Sequence, residues 1–328
     1  MCDVQLVSIQ FNQDSLKAII KKLHDDTISF LNRTKLNDLF MHLLLVLEGY
    51  RDGYLIDGCT VTLDNVQSLL ASLTDSFNLV GMRLRSPLVT LALGPNLDDF
   101  LIITSGQLQR KLSNLFSPSW IDPPIIVDVS SATPYICDGD EIHSMKRALQ
   151  ETFRYMLNST DLSFSVVADS LFNEVVGFPF VAGWLLGYPF IYRSVHPSIL
   201  QGQESTAPSP IINVLSMIRL RKISVRANIN ESLFLALSNK SKSAAKIREN
   251  CIGKFRPYCG TIDLFEFSVP VELIDEASGS LLHLNSWLKE KERRHDSDTS
   301  SPQTDVSLRL VDFCFVQIED ITLSSLIL

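Results

Sequence analysis

The sequence predicts a mixed α/β protein in a single domain, with parallel and antiparallel strands in one sheet and helices on both faces. Three observations carry that prediction. Apolar residues recur at helical spacing in several segments, short apolar runs alternate with those segments, and hairpin signals appear beside crossover connections. The composition agrees: of 328 residues 45% are apolar and 20% charged, which excludes disordered, collagen-like and disulfide-scaffold chains. The longest apolar runs, Leu43–Leu47 and Phe178–Leu186, fall far short of the ~20 residues that cross a bilayer, so no membrane span is predicted.

Residues 1–33 read as an N-terminal helical region. In Thr34–Glu48 the residues Leu36, Leu39, Phe40, Leu43, Leu44 and Leu47 form one stripe, with Thr34 as the expected cap and Gly49 as the stop. A second helix is predicted from Asp64, with Gln67 reaching back and Val66, Leu69, Leu70, Leu73 and Phe77 buried. A third begins at Asp138, with Glu141 three residues on, and carries Ile142, Met145, Leu149 and Met156. A fourth, through Trp184, should stop at Gly187, where Pro189 sets an extended exit into a strand.

Tyr54–Asp57, Phe100–Thr104 and Ile125–Val129 read as strands covered on both faces, being short and mostly apolar. Met82–Arg85 and Phe265–Val269 alternate instead, which predicts one wet face. Gly94-Pro95-Asn96 reads as a hairpin loop, and a bulge at Arg221-Lys222 would restore the phase of Ile218–Arg226. The final strand is expected over Ser307–Ile318. Two polar stretches, 197–210 and 289–305, are expected to be disordered insertions within one domain spanning 1–328, since strands lie on both sides of each.

The net charge of −8 argues against a nucleic-acid coat. Residues 217–256 nevertheless hold ten cations against two acids. Arg219, Arg221, Lys222 and Arg226 are therefore candidate anion-binding residues, the plainer alternative being a solvated strand edge. The six cysteines form no CxxC pair, the six histidines show no ligand spacing, and no metal-ligand set is predicted. His42 falls off its helix's apolar stripe, and surface histidines are expected generally. The opening residues carry no secretory pattern. An intracellular protein with reduced thiols follows, cytoplasmic or nuclear.

Tyr54–Thr60 approaches the motif of haloacid-dehalogenase phosphatases, but Leu55 stands where the nucleophilic aspartate belongs, and leucine forms no aspartyl-phosphate. Asp57 and Asp128 would share a cleft if both strands were parallel, and paired carboxylates hold Mg²⁺ or exchange protons. Tyr188 and Tyr192 complete this candidate cleft, with core packing as the alternative for both. No phosphate loop, dinucleotide fingerprint or nucleophile elbow occurs.

Val127-Asp128-Val129-Ser130, Leu185-Leu186-Gly187-Tyr188-Pro189-x-x-Tyr192, Phe267-Ser268-Val269-Pro270 and Leu284-Asn285-x-Trp287 together resemble an uncharacterised animal protein family, a domain of unknown function. Its human member is an open-reading-frame protein named for its place on chromosome one. The resemblance runs from about Tyr54 to the final strand and implies one intracellular domain. It brings no activity, cofactor or catalytic residue with it.

Three function classes follow in order. The first is a non-catalytic interaction or regulatory protein with a protein partner. The second is a metal-dependent enzyme on a phosphorylated or nucleotide-like small molecule, resting on Asp57 and Asp128. The third is a nucleic-acid-associated protein using 217–256. Neither a cofactor nor an oligomeric state can be read from the sequence.

Overall fold

The computed structural model describes residues 13–25, 33–56, 61–80, 84, 86–93, 99–130, 133–157, 164–166, 177–193, 219–229, 261–274, 279–296 and 311–322. Along the chain these form α1 (Gln13–Asp25), α2 (Arg33–Leu47), β1 (Gly53–Ile56), α3 (Leu63–Leu79), β2 (Leu88–Leu93), β3 (Asp99–Thr104) and α4 (Ser105–Phe116). There follow β4 (Ile125–Asp128), β5 (Tyr135–Ile136), α5 (Gly139–Leu157), β6 (Phe164–Val166), α6 (Phe178–Leu186) and β7 (Phe190–Arg193). The chain continues through β8 (Arg219–Ile229), β9 (Thr261–Pro270), a 3₁₀ turn (Val271–Leu273), α7 (Ser280–Asp296) and β10 (Val311–Thr322).

The mixed α/β class holds, and the strands divide among three small sheets instead of one. The first has the order β1-β3-β2-β6, in which β2 and β6 are parallel and the other pairs antiparallel. The second is β5-β4-β7, with β4 and β7 parallel. The third, β10-β8-β9, is wholly antiparallel.

Alternation along β3 explains why the first sheet needs helices on both sides. Phe100 and Ile102 enter one apolar cluster with α1, α2 and α3, while Leu101 and Ile103 enter another with α4, α5 and α6. The second sheet gives Ile126 and Ile191 to that helical cluster. Val127 and Phe190 turn instead to a third cluster with Leu220, Ile223 and Val269 of the third sheet. Trp287 of α7 meets Phe265 and Phe267 edge-on, with centroids 5.1 and 5.7 Å away.

Several local expectations are corrected. Thr34 lies inside α2, which starts at Arg33. Thr62 caps α3, in place of Asp64, and Asn65 returns the bond to the Thr62 amide in place of Gln67. Helix α4 is an addition to the elements the sequence predicts, because its buried stripe is narrow: Leu108, Leu112 and Leu115. The register of β8 with β9 runs unbroken through Arg221 and Lys222 and skips Leu264 opposite Val225/Arg226, so the bulge lies in β9.

The last strand begins at Val311 and extends to Thr322. Lys289–Asp296, placed in a disordered insertion, is helical, because α7 continues through it. The stretch 197–210, the loop at Gly94-Pro95-Asn96 and all of Met82–Arg85 except Leu84 lie outside the described residues.

Candidate functional site

Parallel pairing of β4 with β7 brings Asp128 and Arg193, the last residues of their strands, into register. Antiparallel pairing on the other side of β4 sets Tyr135 opposite Asp128. Three polar side chains thus stand abreast at one sheet end, where open α/β sheets bind ligands. The chain then turns through Cys137 into α5, whose first turn carries Glu141. Asp138 and Glu141 form the expected capping box: the Glu141 amide donates to Asp138 Oδ1 at 2.9 Å, and the Asp138 amide to Glu141 Oε2 at 3.0 Å.

Arg193 Nη1 lies 3.1 Å from Asp128 Oδ2 and 3.3 Å from Glu141 Oε1. Asp128 Oδ1 accepts the Ser130 amide at 2.8 Å, and the Tyr135 hydroxyl donates to Glu141 Oε1 at 2.9 Å. The Tyr135 hydroxyl is pushed up to about 12, first by that hydrogen bond and then by burial. Burial, followed by the Glu141 charge, pushes the Cys137 thiol up to about 12 as well, so in this environment it stays a neutral thiol. Ligand atoms of Asp128, Cys137 and Glu141 all lie within 4.8 Å of one another.

Of the three candidate cleft residues that are described, Asp128 belongs to this cluster, and Tyr188 and Tyr192 do not. Tyr192 precedes Arg193 on β7 and leaves the opposite face, donating its hydroxyl to the Ser268 carbonyl of β9. Burial raises the pKa of that hydroxyl. Tyr188 packs against Phe265 and Phe267 at 6.3 and 5.9 Å between centroids. Asp57 lies outside the described residues, and β1, which precedes it, is antiparallel to its neighbour and in a different sheet.

The basic strand β8 lies between two strands that carry acids. Lys222 Nζ is 2.9 Å from Glu266 Oε1 and registers with Glu319, while Arg221 registers with Asp320. Arg226 bonds Asp263 through Nε at 2.6 Å and Gln317 through Nη1 at 2.5 Å. Arg219 is exposed at the strand's start and Arg221 is half-buried.

Two histidines differ from the surface expectation. His42 stacks on Tyr54 with ring centroids 4.6 Å apart and accepts Arg51 Nη1 at 2.7 Å on Nδ1. Burial, then the Arg51 charge, lowers it to about 4. His283 is half-buried and lowered by burial. His143 is exposed.

In the sequence Glu141 reads only as a capping residue, and no local pattern marks Tyr135, Cys137 or Arg193 as members of a site. The available signal was the carboxylate ending a buried strand nine residues before a Cys-Asp-Gly-Asp-Glu turn. Arg193 joins from 65 positions downstream of Asp128 and follows no local pattern.

Fold and site together define a mixed α/β protein with an ionic cluster at the carboxyl ends of a parallel strand pair. The model of the DUF4504 family, described as a domain of unknown function, matches residues 25–233. The chain belongs to that family. No curated protein and no solved structure matches it. Within the described residues no helix is long and apolar enough to cross a membrane.

Proposed function

We propose that the chain is an intracellular, non-catalytic interaction or regulatory protein with a protein partner, and that its animal relatives include the human chromosome-one open-reading-frame protein. The observation that supports this reading is how the gathered charges are engaged. Asp128 and Glu141 face Arg193, Asp52 faces Lys111 at 2.8 Å, Lys222 faces Glu266 and Arg226 faces Asp263. A general acid or base must present its proton site to a substrate, whereas these groups present theirs to one another.

The test uses the tagged full chain in animal cells, followed by sizing of the cytosolic extract and quantitative mass spectrometry. Co-elution with one protein at a fixed ratio is expected. Turnover by the purified chain of any compound in a panel of phosphorylated metabolites with Mg²⁺ would overturn the reading.

The second reading, a metal-dependent enzyme on a phosphorylated or nucleotide-like molecule, is favoured by Asp128 at the carboxyl end of a parallel strand beside Glu141. A nucleic-acid role for 217–256 ranks last, because Lys222 and Arg226 already face carboxylates. RNA affinity that falls steeply with salt would raise it.

A further inference from the structure

We propose that the outer side of β10 receives an extended segment of a partner protein, with alternating apolar and basic residues, as an added strand of the third sheet. This names a surface for the interaction reading and rests on that reading. Among the described residues β10 pairs with β8 and with no strand on its other side. Its register with β8 runs unbroken from Phe313 to Thr322. Backbone donors and acceptors along such an edge are a template for another chain.

The other outer strands are blunted. β1 and β7 have four residues each, β6 three and β5 two. β9 is long, but it bulges at Leu264 and ends in Pro270, which has no amide hydrogen. β10 contains no proline, glycine, lysine or arginine, and its one irregularity falls at its start, between Val311 and Phe313.

Ile318 stands opposite Ile223, on the sheet face that buries Ile223, yet it is 53% exposed. The apolar face of the sheet therefore reaches the outer strand and stays open there. Glu319 points to the other face and is exposed, and its register neighbour Lys222 pairs with Glu266. β10 carries Asp312, Glu319 and Asp320 and no cation. Directly opposed side chains of neighbouring strands attract when their charges differ and repel when they match. A second copy of β10 would bring three more acids and no cation to the same seam. A strand with an apolar residue beside Ile318 and a lysine or arginine beside Glu319 suits both faces.

The test measures fluorescence anisotropy of a labelled peptide of about ten alternating valine and lysine residues, titrated with the purified full chain. A copy N-methylated at every backbone nitrogen keeps the charge and loses the donors. We expect saturable binding of the first peptide and binding of the methylated copy weaker by about tenfold or more. Ile318→Lys and Glu319→Lys, both at exposed positions, should each weaken the first peptide by about as much. Glu151→Lys, the same charge change on α5, should leave it unchanged. A parent chain that binds neither peptide, or both equally, overturns the proposal, as does full binding by Ile318→Lys. Self-association of the parent that Ile318→Lys abolishes overturns it in favour of a second copy. These measurements need no cellular partner, so they fail or succeed apart from co-elution. A co-eluting protein that Ile318→Lys retains would keep the interaction reading and overturn this surface.

Discussion

Gly187 ends α6 with φ +77°, and the amides of Gly187 and Tyr188 return to the carbonyls of Trp184 and Gly183 at 3.2 and 3.1 Å. A methyl group added at Gly187 would overlap the Asp52 carboxylate, which pairs with Lys111. Both of those side chains are largely buried, at 8% and 13% exposure, and Lys111 also donates to the Trp184 carbonyl. Positive φ costs an L-residue about 1–2 kcal/mol, and breaking a buried pair costs about 3–5. Gly187→Ala should therefore lose more than about 3 kcal/mol in urea denaturation. A loss under about 1 would mean that Asp52 does not lie against the turn.

His42 makes a pH-dependent prediction. The unfolded chain takes up its proton near 6.5, whereas the folded protein holds the ring neutral to about 4. Unfolding therefore binds a proton between these values, and stability falls as pH drops through that window, by up to about 3 kcal/mol. Denaturation of the parent and of His42→Gln at pH 7 and pH 4 isolates this contribution, and the variant should lose that much less on acidification. Equal losses in the two proteins would exclude it.

At the scale of elements, the period of side chains carried most of what the sequence disclosed. The buried Val66, Leu69, Leu73 and Phe77 of α3, and the stop of α6, were legible because neighbours within a helix are fixed by spacing alone. Capping was legible where one candidate stood, at Asp138, and misread where Thr62 and Asp64 competed two residues apart. Cross-strand neighbours were not legible, because register is set by the whole sheet. The basic face of β8 accordingly looked free, while Glu266 and Asp263 lay opposite it. Asp128 was visible as a candidate for the same reason that Arg193 was hidden: its own strand marked it, whereas Arg193 reaches it only through parallel pairing.

At the scale of the molecule, we propose that the chain is one domain. Tyr188 packs against two of the apolar clusters and Leu288 bridges to the third, so no cluster is isolated. Limited proteolysis should nick within 197–210 and 297–305 and leave the fragments together on native sizing. The third sheet supports this: Leu220 and Val269 pack with Val127 and Phe190, and Val225 and Phe265 with α2. Release of separate stable halves would show two folding units.

The matched family span ends at residue 233, four residues beyond β8, yet both partners of that strand come later in the chain. A protein cut at the family boundary would keep the middle of the third sheet and lose its two sides. Eleven residues of backbone would then offer unpaired donors and acceptors along both edges, with Ile223, Val225 and Ala227 losing the part of their cover that Val269, Phe265 and Leu264 supply. Such a strand recruits other chains, so recombinant fragments ending near 233 should collect in inclusion bodies. Soluble expression calls for carrying the chain at least through Thr322, the end of β10.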